Sequence, residues 1–149
     1  MRLPGFSLLS QHYPNGTTED VKAAIGGNVN ADWITNTCVI RVSHALNMAG
    51  APIPGAHAGL TTVRGANGMR YAFRVSEFKK WLPHEYGPPD IVGHGGSIAK
   101  FMGKMGIILF DDCGWSDATG HFDLWNGNDC VHAAYWSQAQ HVQLWETGP

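Results

Sequence analysis

The chain carries three cysteines, at positions 38, 113 and 130, and one of them stands where a thiol becomes useful. The run Asn36-Thr37-Cys38-Val39-Ile40-Arg41-Val42-Ser43-His44-Ala45-Leu46-Asn47-Met48-Ala49-Gly50 reads as an amphipathic helix. Val39, Val42, Leu46 and Met48–Ala49 form its apolar stripe, Asn36 or Thr37 caps its start, and Gly50 ends it. Cys38 therefore falls in the first turn. A free thiol ionises near pH ~8.5, too high for a good nucleophile at neutral pH. Unpaired N–H groups and the dipole at a helix start favour the thiolate. Those N–H groups, that of Cys38 included, can also hold the oxyanion formed when a thiolate attacks a carbonyl. The competing reading is an inert, buried cysteine.

A thiol of this kind needs a base. His121-Phe122-Asp123-Leu124-Trp125 alternates like a strand, Asn126-Gly127 is a strong hairpin turn signal, and Asn128-Asp129-Cys130-Val131-His132 returns. With a two-residue turn, His121 faces His132 across the strand pair. His121 would then take the thiol proton and His132 would fix its tautomer. A longer loop through Gly127-Asn128-Asp129 brings Asp129 to His121 instead, and Asp123 shares its strand face. The orienter is therefore His132, Asp129 or Asp123. Structural zinc on Cys113, His121, Cys130 and His132 is the weaker reading, because their spacing holds no CxxC or HxxxH pair. No metal or cofactor is called for. The remaining histidines are isolated and read as surface or local hydrogen-bonding residues.

Two further features border such a site. Trp115, Ser116 and Asp117 lie on a Gly-flanked loop just before His121 and can line a peptide groove. Arg41, one turn beyond Cys38, can fork onto a substrate carboxylate; its alternative is a salt bridge to Asp32 or Asp123.

The elements that must position these residues are legible in outline. Thr17-Thr18-Glu19-Asp20 caps a short helix that stops at Gly26-Gly27. Ala51–Gly68 reads as a long loop, Met69–Val75 as a strand, Ser76–Leu82 as a short helix capped by Ser76, and Ser97–Met102 as a helical turn. Strands follow at Gly106–Phe110, His121–Trp125, Val131–Trp136 and Val142–Trp145. Helices first and antiparallel strands second predict an α+β domain. At 149 residues, with 44% hydrophobic and 15% charged residues, residues 1–149 suit one globular domain rather than two. A net charge of −2 argues against a nucleic-acid footprint or a polybasic membrane anchor. No stretch approaches the ~20 apolar residues of a membrane span, and the N-terminus does not read as a secretory signal. The expectation is a chain made in the cytoplasm that binds neither nucleic acid nor membrane.

Cys at a helix start, followed far downstream by a strand His and a turn, is the layout of papain-like NlpC/P60 peptidases. His121-Phe-Asp-Leu-Trp-Asn-Gly-Asn-Asp-Cys-Val-His132-Ala133 resembles their base-bearing hairpin, one residue shorter. Gly26-Gly27-Asn28-Val29, Asn36 to Ser43, Ala45-Leu46-Asn47, Gly103 to Ile108, Gly114-Trp115-Ser116 and Gly120-His121 with Leu124 to Gly127 resemble the type VI secretion amidase effector family 4. The resemblance covers most of Gly26–His132. It implies a papain-like fold and an antibacterial cysteine amidase that cuts the γ-D-glutamyl–meso-diaminopimelate bond of peptidoglycan. Delivery by the type VI secretion apparatus to a rival's periplasm and a cognate periplasmic immunity protein are implied with it. Cys38 matches the family nucleophile and His121 its base; His132 stands where members carry Asp, and an imidazole holds a neighbouring cation less well than a carboxylate. Some members pair a cysteine after the hairpin; Ala134 stands at that position here, which leaves a Cys113–Cys130 bond as an open question. A non-catalytic wall- or sugar-binding module and a transglutaminase-like acyl transferase are the rival readings.

Overall fold

The computed structural model describes residues 2–116 and 119–149. Two helices, α1 (Phe6–His12) and α2 (Thr18–Ile25), lead through a 3-10 turn at Gly27–Val29 to α3 (Cys38–Met48). A small hairpin of β1 (Thr62–Arg64) and β2 (Arg70–Ala72) follows, then α4 (Val75–Tyr86). The chain continues through β3 (Ile91–Gly93), α5 (Ile98–Phe101), β4 (Gly106–Asp111), β5 (His121–Trp125) and β6 (His141–Glu146). The last four strands form one antiparallel sheet in the order β3-β6-β4-β5. The architecture is α+β, as expected, and no helix among the described residues is long and apolar enough to cross a membrane.

β4 is buried at every position, and its residues 106–110 read as an unbroken apolar run rather than an alternation. Its Ile107 and Leu109 join Phe122 and Leu124 of β5 in a core with Val39, Val42 and Leu46 of α3 and Phe78, Trp81 and Leu82 of α4. Ile108 and Phe110 point the other way, against Phe101, Trp125, Val142 and Leu144. The sheet is thus apolar on both faces. His121 and Asp123 lie opposite Phe110 and Ile108 of β4, and strand pleating sends both side chains to one face.

The cap of α2 is a full capping box: Thr17 Oγ1 accepts from Asp20 N, and Asp20 Oδ2 accepts from Thr17 N. Other elements differ from expectation for tertiary reasons. The expected Ala51–Gly68 loop contains β1, which exists through its pairing with β2. α4 begins one residue before Ser76 and runs on through Pro83 to Tyr86. Its start is tied by Glu77, which accepts from Thr61 N and pairs with Arg74. Met48, expected on the apolar stripe of α3, is exposed.

The largest departure is the second arm of the expected hairpin. Trp125 bridges Cys130 rather than Asn128, and Asn126 Oδ1 accepts from both Asn128 N and Asp129 N to close a longer turn. Residues 131–140 then contain no strand. There the Asp123 carboxylate accepts the backbone N–H groups of His132 and Ala133, which a ladder would have used. The partner of β5 is β4.

Candidate active site

Cys38 opens α3 and is almost fully buried. Of its two candidate caps, Asn36 serves: its Oδ1 accepts from Cys38 N at 3.0 Å. Thr37 makes no capping bond; its Oγ1 lies 3.3 Å from both Thr18 Oγ1 and Arg41 Nε. The Cys38 N–H expected to be free for an oxyanion is therefore occupied.

β5 brings His121 to this thiol. His121 Nε2 donates to Asp123 Oδ2 at 2.7 Å, and His121 and Cys38 line one cleft, where the thiol helps raise the His121 pKa. With Nε2 committed, Nδ1 is the nitrogen left to serve the thiol. Asp123 is wholly buried and fully used. Oδ1 accepts from Leu124 N at 2.8 Å and His132 N at 3.1 Å, while Oδ2 accepts from Ala133 N at 3.0 Å besides His121. Three backbone donors and the His121 ring thus surround one buried carboxylate.

Of the three candidate orienters, Asp123 is the one in contact. The expected His121–His132 facing pair does not form, because His132 reaches Asp123 through its backbone N–H and leaves its ring 6.2 Å from that of His121, tilted by 35°. Asp129 is exposed in the turn and bonded to Asn128 Nδ2.

Burial, the largest single influence, pulls the His121 pKa down; the Asp123 hydrogen bond and charge, together with the influence of Cys38, outweigh it and lift the pKa to about 9. His132 is shifted the other way, by burial, the Arg41 cation and His121. The two imidazoles are thus shifted in opposite directions, a separation expected of an acid–base site. Cys113 and Cys130 are free thiols. Burial with Asp111 and Asp112 pushes Cys113 up to about 11, and burial with Asp123 and Asp129 pushes Cys130 up as well. Both are held as inactive thiols.

A cleft of about 390 Å³ opens onto Cys38 and His121, walled by Asn36, Thr37, Arg41, Trp115, His132 and Tyr135 among others. Trp115 stands edge-on to Tyr135, 4.8 Å between ring centroids, and Tyr135 in turn lies 4.9 Å from the His121 ring. Tyr135 was not singled out by sequence, since it sits in a stretch that reads as a strand. Ser116 is exposed and lies outside this wall; Asp117 lies outside the described residues. Arg41 is buried, pairs with neither Asp32 nor Asp123, and spends its fork on Pro14 O at 3.0 Å and Gly16 O at 2.9 Å. Its guanidinium pins the chain before α2 against α3. Among the described residues no three His, Cys, Asp or Glu side chains gather as a metal site.

The model of the type VI secretion system (T6SS) amidase effector protein 4, or Tae4, family matches residues 34–145. The chain belongs to the Tae4 family. It is similar to the solved effector Tae4 from Salmonella typhimurium, in complex with the immunity Tai4 from Enterobacter cloacae, with a TM-score of 0.91 at 32% identity over 97% of this chain and 99% of that one. Tae4 from Enterobacter cloacae in its Tae4–Tai4 complex gives 0.90 at 35% identity over 99% of each chain. The same effector solved by itself gives 0.89 at 36% identity over 99% of this chain and 98% of that one. Comparison with curated proteins gives no match. The α+β fold is accordingly the papain-like NlpC/P60-type fold of Tae4. As a Tae4-family member the chain is an antibacterial peptidoglycan amidase and a T6SS effector, delivered into target cells.

Proposed function

We propose that residues 1–149 form one cysteine-amidase domain that cleaves the γ-D-glutamyl–meso-diaminopimelate bond of stem peptides in the periplasm of a rival Gram-negative cell. Cys38 is the nucleophile, His121 the general base and acid, and Asp123 the orienter of His121. The observation that supports this most is the Asp123–His121 hydrogen bond, with His121 and Cys38 lining one open cleft.

The thiol proton passes from Cys38 Sγ to His121 Nδ1 while Asp123 Oδ2 holds Nε2–H and stabilises the imidazolium. The thiolate attacks the D-glutamyl side-chain carbonyl, and the C–N bond breaks as Nδ1–H protonates the leaving amine of diaminopimelate. Water, deprotonated by the now neutral Nδ1, then hydrolyses the thioester. Trp115, Tyr135 and His132 wall the cleft where the peptide lies. Arg41 is given a supporting role, because its fork is already occupied. Solved Tae4 relatives are complexed with Tai4 immunity proteins, and we propose a cognate periplasmic immunity protein for this chain too. The T6SS apparatus is its route of export, and neither nucleic acid nor membrane is its partner.

Digestion of Gram-negative peptidoglycan by wild type and Cys38→Ala, with products read by mass spectrometry, tests the reading. Wild type alone should release fragments cut between D-Glu and diaminopimelate. Equal cleavage by Cys38→Ala would refute cysteine catalysis, and transfer to an added amine without hydrolysis would reassign the chemistry to acyl transfer.

A further inference from the structure

The most exposed large apolar side chain among the described residues is Trp33, at 60%. Single exposed apolar residues need no explanation, but Trp33 is not alone. Its ring stands edge-to-face with Phe73, 5.1 Å between centroids at 73°, and the Arg74 guanidinium lies 5.0 Å from the centroid of that Phe73 ring. That cation is itself paired with Glu77, 3.1 Å away. These residues border a hollow of about 200 Å³ that shares Thr35 and Asn36 with the catalytic cleft. The platform therefore continues the wall that carries Cys38.

We propose that Trp33 and Phe73 form a subsite for a pyranose ring of the glycan strand, the ring to which the stem peptide is attached. The inference rests on the amidase reading above and extends it from the peptide to the sugar. Three observations favour a sugar. A flat, rigid indole exposes one broad apolar face, which suits the axial C–H face of a pyranose, while hydroxyls at the ring rim need polar neighbours. Thr35 and Asn36 supply them at the seam; Asn36 uses Oδ1 for Cys38 N, which leaves its amide N–H groups free to donate. Reach also agrees. Trp33 and Cys38 are five residues apart, so their Cα atoms lie within ~18 Å even for a fully extended chain. The L-alanyl and γ-D-glutamyl units with the lactyl ether span about 12 Å from the scissile carbonyl to the sugar, by the same extended rise. The hollow beside Trp33 and the cleft at Cys38 meet at Thr35 and Asn36, the path such a stem peptide would follow.

The test compares kcat/KM on two substrates with the same stem: a glycan-linked disaccharide-peptide and the free peptide released from it. Wild type should prefer the glycan-linked form by about tenfold, the equivalent of one aromatic contact. Trp33→Ala should bring the ratio of the two kcat/KM values to about one, and Trp33→Phe should keep most of it. Because Trp33 lies outside the core, its replacement leaves folding to the rest of the chain, which a thermal melt checks. A wild type indifferent to the sugar, or a Trp33→Ala variant that keeps the preference, would overturn the subsite. If Trp33→Ala alters only inhibition by an immunity protein, the platform belongs to that protein contact and the subsite is refuted. A wild type that cleaves neither substrate removes the amidase reading and the subsite with it.

Discussion

Asp123 offers the sharpest test of the site's electrostatics, because every lone pair it can offer is spent. Oδ1 accepts two backbone N–H groups and Oδ2 accepts one more together with His121 Nε2. In Asp123→Asn the amide nitrogen must replace one oxygen: at Oδ1 it confronts the N–H groups of Leu124 and His132, and at Oδ2 that of Ala133, with His121 forced to change tautomer. A buried donor left facing a donor costs about 1–3 kcal/mol, so the variant should lose at least that much and several degrees in Tm. The catalytic effect is separate and carries its own signature. A His121 pKa of about 9 against an ordinary 6.5 means that the site favours the imidazolium by about 3 kcal/mol. Among the influences that raise it, the Asp123 hydrogen bond is the strongest.

Without the carboxylate the pKa falls, so the alkaline limb of kcat/KM should move from near pH 9 to below about pH 8, with kcat reduced about a hundredfold. Because the folded pKa exceeds the unfolded one, the stabilisation from charging His121 is complete below about pH 6.5. It is lost as pH rises through about 9. Wild type should therefore lose stability across that window, and Asp123→Asn should show a shallower slope. The assays are a pH–rate profile on a stem peptide and denaturant melts from pH 6 to 10. An alkaline limb that stays near pH 9 with kcat within threefold of wild type would refute the role given to Asp123.

Other perturbations read different parts of the frame. Arg41→Met removes a buried cation that holds Pro14 O and Gly16 O, and calorimetry should show a loss of about 2–4 kcal/mol; an unchanged Tm would mean the fork carries no load. At Gly120 an added Cβ would sit 2.2 Å from Phe110 O, in the backbone of the neighbouring strand. Gly120→Ala should therefore displace the start of β5 and cut kcat at least tenfold, and wild-type turnover would refute that close approach. Asn36→Ala frees the Cys38 N–H from its side-chain partner. It should cost about 1 kcal/mol of stability as a lost cap while sparing kcat; a hundredfold fall in kcat would instead make the Asn36 side chain an oxyanion donor.

Much of this protein was legible in one dimension because the relevant forces are local. The capping box at Thr17–Asp20, the apolar stripe of α3 and the placement of Cys38 in its first turn depend on residues within a turn of one another. β5 was legible from its own alternation, and the same period put Asp123 on the face of His121. What only the tertiary structure decided are matters in which distant groups compete for one partner. Of His132, Asp129 and Asp123, it is Asp123 that contacts His121, and its carboxylate captures the N–H groups of His132 and Ala133 where a strand would have brought the two imidazoles face to face. α1 lacks a sequence-local cap; its first N–H groups bond the carbonyls of Gly148 and Pro149. Arg41 reads as a substrate ligand until the chain before α2 folds over it. Sequence sets which residues can do chemistry and the short elements that carry them, since propensity, capping and pleat act over a few residues. Which donor meets which acceptor across the fold is settled by packing, because a buried polar group must be satisfied by whatever the compact chain brings to it.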